Sequence, residues 1–382
     1  MKSKNSTIHQ MLLKSITLLV MVVMLISCQP QNITSTTAPA TDTEFVPTDT
    51  PVNTATAVPP TAVITPPDLP AVFQSTLLNP LDTPHSYIKD SCQYLKNKWN
   101  GSNAKPGTVV MIIMIKGIYK GPVEESGGIN FNDLDKIMGE LKKQSFEAIN
   151  TKQLLAFMEQ NTYIPPRSVM IIQDGDRQHD NFDEHLRKYW KDWGWPIVNG
   201  WVSQPGTPDS LWVDNNVMET EGFVDHQPSG VMFGTYLSED SSSDVMNREL
   251  QGSIEAFVQR FGKKPIAFIW PGGGFGQKPV EAARQLNYQL GFTSNSRGPV
   301  MYNWVPLADK LDPARPAFIP EGKIEDPLMT LPRYWPSEAL VQIDNVRAIS
   351  KQAIIYAEAN KKIEMTYYSI VCAPTYGQIP IP

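Results

Sequence analysis

The chain has 382 residues, with 33 Lys and Arg against 39 Asp and Glu and a formal net charge of −6. This mild acidity, with no basic cluster and no interleaving of basic and aromatic residues, argues against nucleic-acid binding. Its length suffices for one large domain with a full core even after the N-terminal segments are set aside.

Lys2, Lys4 and Lys14 precede an apolar run over 16–26 that is too short for a comfortable permanent span, which is the pattern of a secretory leader. The run ends in Leu25-Ile26-Ser27-Cys28, which resembles the bacterial lipobox. That resemblance implies that residues 1–28 form a lipoprotein signal and that Cys28 carries the lipid as first mature residue. An uncleaved transmembrane anchor is the alternative, and both readings place the rest of the chain outside the cytoplasm at a membrane. Residues 29–76 are dominated by Thr, Pro, Ala and Val with few large side chains. Such a stretch buries too little apolar area to offset its ordering entropy, so it reads as an extended tether. The folded domain is expected over 77–382.

Within the domain, 109–115 is a continuous apolar run, expected as a central parallel strand buried on both faces. Phe131, Leu134, Ile137, Met138 and Leu141 recur at helical spacing and predict an amphipathic helix over 130–144, capped by Asn130 or Asn132. A short strand at 147–149, a helix over 151–159 and, after Pro165-Pro166, a buried strand at 168–172 follow. Further on come a helix over 182–190, strands at 196–202 and 222–225, a helix over 244–261, a strand at 266–270 and a helix over 280–290. A closing helix is expected over 342–358 and a late strand at 365–371. The alternation predicts an α/β fold with a parallel sheet or barrel, whose chemistry would sit at the C-terminal strand ends.

Three segments at such strand ends carry a resemblance. The first is Ile171-Ile172-Gln173-Asp174-Gly175, introduced by Ile164-Pro165-Pro166-Arg167-Ser168-Val169. The second is Glu221-Gly222-Phe223-Val224-Asp225-His226, running on to Gly230. The third is Phe268-Ile269-Trp270-Pro271-Gly272-Gly273, led in by Phe261-Gly262-Lys263-Lys264-Pro265. In order and spacing they resemble the motifs of the NodB-like polysaccharide deacetylases, over about 109–297. The resemblance implies a distorted seven-stranded β/α barrel. It also implies a metal-polarised water attacking an N-acetyl group, with zinc held by an aspartate and two histidines.

Mapped residue by residue, the resemblance puts Gln173 at the general-base position, Asp174 and His226 at metal-ligand positions, and Trp270 and Pro271 at the substrate. Gly230 stands where the second metal histidine belongs, and no histidine follows His226 to serve as general acid. A glutamine amide offers only hydrogen bonds and cannot take up a proton, so Asp176 or Asp180 would have to supply a base. His179 and His185 are candidates for a replacement ligand or acid, or are simply solvent-exposed. The expected function is therefore a surface-anchored, deacetylase-like protein, catalytically impaired, that binds a polysaccharide or peptidoglycan glycan. Trp190, Trp193, Trp195, Trp201, Trp212 and Trp270 are the candidate stacking surfaces. A metal-dependent hydrolase with ligands drawn from Asp176, Asp180, Asp183, Glu184 and Asp225 is the alternative. Cys92 and Cys372 are either a disulfide across the ends of the domain or two separately buried thiols.

Overall fold

The computed structural model describes residues 65–175 and 178–380. Cys28, Asp176 and the greater part of the tether lie outside the described residues. One compact unit runs from Val63 to Pro382. It claims the end of the expected tether: Phe73 stacks on Trp304 at 5.8 Å, and the Trp304 indole donates to the Phe73 carbonyl at 2.9 Å.

The strands in chain order are β1 (Asp82–His85), β2 (Val109–Ile115), β3 (Ile118–Tyr119), β4 (Ile129–Asn130), β5 (Glu147–Ala148), β6 (Arg167–Asp174), β7 (Ile197–Trp201), β8 (Val224–Pro228), β9 (Ala267–Ile269), β10 (Leu290–Phe292) and β11 (Val305–Ala308). A parallel sheet runs β2-β6-β7-β8, with β5 pairing the start of β6; β9 and β10 form a separate parallel pair. All seven residues of β2 are buried. Val109, Met111, Ile113 and Ile115 join the core under the helices Phe131–Lys143 and Pro336–Tyr367, whereas Val110 and Ile112 face a second core shared with Met170, Ile172, Val198 and Ile269. An uninterrupted apolar run is what a strand with two buried faces requires.

The expected seven-stranded barrel does not form as one continuous hydrogen-bonded ladder. The ladder stops between β8 and β9, where the Gln227 carboxamide oxygen accepts the backbone N–H groups of Ile266 and Ala267, both at 3.1 Å. On the far side, residues 331–334 cross from β10 to β2 through isolated bridges, Phe292 with Leu331 and Ile113 with Tyr334.

Helix ends follow the capping residues. The helix Phe131–Lys143 starts where the Asn130 side chain accepts the Asp133 amide, and the helix Thr151–Gln160 starts with a reciprocal Asn150–Gln153 box. The helix expected over 182–190 is two helices, His179–His185 and Arg187–Trp193, meeting at Leu186. The helix expected over 280–290 ends at Gln285, and its last residue, Leu290, begins β10. The late strand expected at 365–371 is also absent: the helix Pro336–Tyr367 passes straight into a π-helical turn, Tyr368–Cys372. Glu364, Tyr368 and Cys372 are buried at intervals of four residues, so the segment keeps a helical face, and Cys372 bonds to Cys92. The thiols are thus one disulfide between the helix Ser91–Trp99 and the end of the chain. Among the described residues no helix is long and apolar enough to cross a membrane.

Candidate functional site

Register decides which strand-end side chains can meet. Gln173, Asn199 and His226 form one row across β6, β7 and β8, while Asp174, Gly200 and Gln227 form the next. Successive residues of a strand project from opposite faces. Asp174 and His226, the two expected metal ligands, therefore leave the sheet on opposite sides.

His226 is fully buried against the helix Asp209–Thr220 and stacks on Phe261 at 4.7 Å. Its Nδ1 meets the Glu219 carboxylate at 3.0 Å and its Nε2 the Asn215 carbonyl oxygen at 2.9 Å. The Asn215 amide nitrogen is committed to the Leu211 carbonyl, which fixes that orientation. Each ring nitrogen thus lies within hydrogen-bonding distance of a protein side chain, which leaves neither directed at a metal. Full burial holds the imidazole pKa below its ordinary value, against the pull of Glu219 toward the charged form. Burial would raise the Glu219 and Asp225 carboxyls, but the Lys263 ammonium, at 2.6 Å and 3.0 Å, helps to hold both below the usual range. For Glu219, His226 adds to that effect.

Asp174 has a different cation. Arg333, 1% exposed, donates from Nη1 to the Asp174 carboxylate at 2.5 Å and from Nε to the Thr293 carbonyl at 2.6 Å. The guanidinium comes from the segment that bridges β10 to β2, and it supplies a fixed positive charge at the retained ligand position. Its Nη2 is buried with no hydrogen-bond partner among the described residues. Gln173 is buried with its Nε2 donating to the Lys116 carbonyl at 2.6 Å; its Oε1 has no partner among the described residues. Gly230 sits at φ +88°, and a Cβ there would lie 2.9 Å from the Glu249 carboxylate. Glu249, fully buried, accepts the Val231 and Met232 amides at 2.6 Å and 3.0 Å, so it fills the space an imidazole at position 230 would need.

Among the described residues, the carboxylates considered as substitutes are committed elsewhere. Asp180 pairs with His179, Asp183 with Arg187, Glu184 with Lys120, and Asp225 with Lys263 and the Thr151 amide. His185, expected in solvent, is buried and packs on Phe131 at 4.1 Å. Among the described residues no group of three or more His, Cys, Asp or Glu could hold a metal ion. The residues present do not fit the zinc site that the sequence resemblance implies.

An open cleft of about 380 Å³ lies at the C-terminal ends of β2 and β6, lined by Lys116, Tyr119, Glu125, Asp174 and Asn181 among others. Beside it Trp335 is half-buried, with the Lys116 ammonium 5.7 Å from its ring centre and its indole donating to the Ser294 carbonyl. Tyr236 is 63% exposed and lies over Gly272, just after β9. The stacking tryptophans need correction. Trp195, Trp201, Trp212 and Trp270 are core residues, and Trp190 and Trp193 are partly buried against the core under the helices. Trp270 is fully buried with its indole donating to the Met329 carbonyl at 2.8 Å, so it cannot stack on a sugar. Pro271, half-buried, begins the turn beneath Tyr236.

Arg333, Trp335 and Tyr236 were not singled out from the sequence. Only the Leu331-Pro332-Arg333-Tyr334-Trp335 run, a cation among apolar residues, hinted at a buried charge with a partner.

No protein-family profile and no curated relative matches this chain. Among solved structures it is similar to the Streptococcus pyogenes deacetylase PplD, with 17% identity and a TM-score of 0.49 over 62% of this chain and 97% of that one. It is likewise similar to a de-N-acetylase from Aggregatibacter actinomycetemcomitans, with 14% identity and a TM-score of 0.49 over 62% and 99%. A polysaccharide deacetylase from Bacillus cereus follows at 16% and 0.47 over 62% and 68%. All three are structures of deacetylases. The likeness does not extend to which side chains act.

Proposed function

We propose that this chain is a surface-anchored, deacetylase-like protein that binds glycan at its strand-end cleft without carrying out metal-dependent deacetylation. The observation that carries the reading is the pairing of Asp174 with Arg333. A guanidinium stands against the one carboxylate retained at a ligand position, while His226 lies on the other face of the sheet with both nitrogens engaged. Deacetylation requires a base, an acid and a charge that polarises the amide carbonyl. Gln173 supplies no base and Gly230 no ligand. Arg333 supplies positive charge, but it is already neutralised by its partner.

Glycan binding is supported by the cleft itself, where Lys116, Asp174 and Asn181 offer polar groups beside Tyr119 and Trp335. An aromatic edge with a few convergent polar groups suits the amphipathic faces of a sugar. Surface anchoring is supported by the Lys-flanked apolar leader ending at Cys28, and the Cys92–Cys372 disulfide suits an oxidising compartment.

The test compares acetate release from N-acetylated polysaccharide, with and without added zinc, and co-sedimentation of the protein with the insoluble polymer. Sedimentation without acetate release, weakened about tenfold or more by Trp335→Ala, is the expected result. Zinc-dependent acetate release that disappears in Asp174→Asn would overturn the reading.

A further inference from the structure

At the opposite end of the sheet from Asp174, where β2 begins, the fold encloses a second cavity of about 330 Å³. One wall is residues 69–73, held in place by the Trp304 indole on the Phe73 carbonyl and the Tyr356 hydroxyl on the Ala71 carbonyl at 2.5 Å. Another is the helix Pro336–Tyr367, which presents Ala353 and Ala357. Small residues on that helix leave the space open where larger ones would fill it.

The lining is amphipathic. Tyr94 and Tyr302 stack on each other at 5.8 Å with ring planes 22° apart, and Phe73 stacks on Trp304. Lys98 and Glu364 also line the cavity, with side chains only 10% and 4% exposed, but they neutralise each other at 2.8 Å. The second Glu364 oxygen accepts the Trp99 indole at 2.7 Å. The remaining charge in the lining, Lys105, is exposed to solvent. One polar group is left incompletely satisfied: the Tyr302 hydroxyl is buried with the Asn97 side chain facing its oxygen, and its proton has no acceptor among the described residues. Buried polar groups of this kind carry a desolvation cost until something bonds to them. A ligand hydroxyl in the cavity could accept that proton.

We propose that this cavity binds an uncharged, ring-shaped polyol, the size of one sugar unit, at a site separate from the strand-end cleft. Its volume falls in the range of small-molecule pockets. The aromatic rings match the apolar face of a pyranose, the Tyr302 hydroxyl matches one of its hydroxyls, and the self-neutralised Lys98–Glu364 pair gives no attraction to a charged ligand. An aliphatic or aromatic hydrocarbon would leave the Tyr302 proton without an acceptor, which is why the sugar is favoured.

The experiment is calorimetric titration of the intact protein with N-acetylglucosamine, glucose, glucuronate and phenol. Binding of at least one of the two neutral sugars, at millimolar or lower concentration and at least fivefold tighter than glucuronate or phenol, is expected. Tyr302→Phe should weaken it three- to tenfold with the melting temperature unchanged within a few degrees. Ala357→Leu should abolish it while leaving co-sedimentation with the insoluble polymer, which reports on the strand-end cleft, unchanged. Absence of binding by both neutral sugars, tighter binding of phenol, or sugar binding that survives both Tyr302→Phe and Ala357→Leu would each overturn the proposal. The last of these would move the sugar to the strand-end cleft, so this site and the proposed function can fail separately.

Discussion

Arg333 and Asp174 exemplify a charge pair whose members depend on each other more than the fold depends on the pair. A buried ion pair is often worth little net stability, yet removing one partner strands the other in a poorly solvated site. Asp174 retains some contact with solvent, its side chain being 18% exposed, so the penalty is moderated. Arg333→Met should cost about 2–4 kcal/mol in urea unfolding. Arg333→Met with Asp174→Asn together should cost less than the sum of the single changes, and additive costs would show that the pair is not coupled.

His226 makes a pH prediction at the same scale. Its folded pKa lies below the ordinary value, so the folded chain keeps the ring neutral while the unfolded chain takes up a proton. Stability is then full above about pH 6.5 and declines as the pH falls from there toward the folded pKa, by at most about 1.4 kcal/mol per pH unit for one group. Glu219 and Asp225, both held below their usual values, add to the loss only below about pH 4.5. The melting temperature should therefore fall between pH 7 and pH 5 in the native protein, and less so in His226→Gln. An equal fall in both would assign the effect to other groups.

At the scale of elements, the strands β2 and β6 and the helix Phe131–Lys143 were legible because each is written in local terms, an unbroken apolar run or a 3.6-residue stripe with a capping asparagine. The C-terminal segment was misread as a strand because Tyr367, Tyr368, Ile370 and Val371 favour extended structure locally. What holds it helical is non-local. Tyr368 and Cys372 are buried in a small core with Leu95, and the disulfide fixes them to the helix Ser91–Trp99 across 280 residues of sequence. Closing so long a loop restricts the unfolded chain, and the variant Cys92→Ser should lower stability by about 2–5 kcal/mol, measured as a shift of the urea midpoint. A midpoint unchanged from the oxidised native protein would mean the disulfide contributes nothing beyond local packing.

On the scale of the whole molecule, anchoring is tested by Cys28→Ser. If residues 1–28 act as a lipoprotein leader, the native protein partitions with membranes and the variant is released to the soluble extracytoplasmic fraction. A variant that stays with the membrane would favour the uncleaved anchor. In the folded unit, the two sites proposed for ligands sit at opposite ends of one parallel sheet, the cleft beside Asp174 and the cavity behind Tyr302.

The sequence by itself determined the α/β alternation, the strand-end position of Gln173 and Asp174, and the absence of a second metal histidine at Gly230 and of any histidine after His226. These are properties of local pattern and residue identity, which do not depend on what comes near them. Only the tertiary structure decided that Asp174 faces Arg333, that His226 turns to the opposite face, and that Trp270 is core. Partner and facing depend on strand register, and the cation at Asp174 arrives from 159 residues further along the chain, beyond the reach of any local signal.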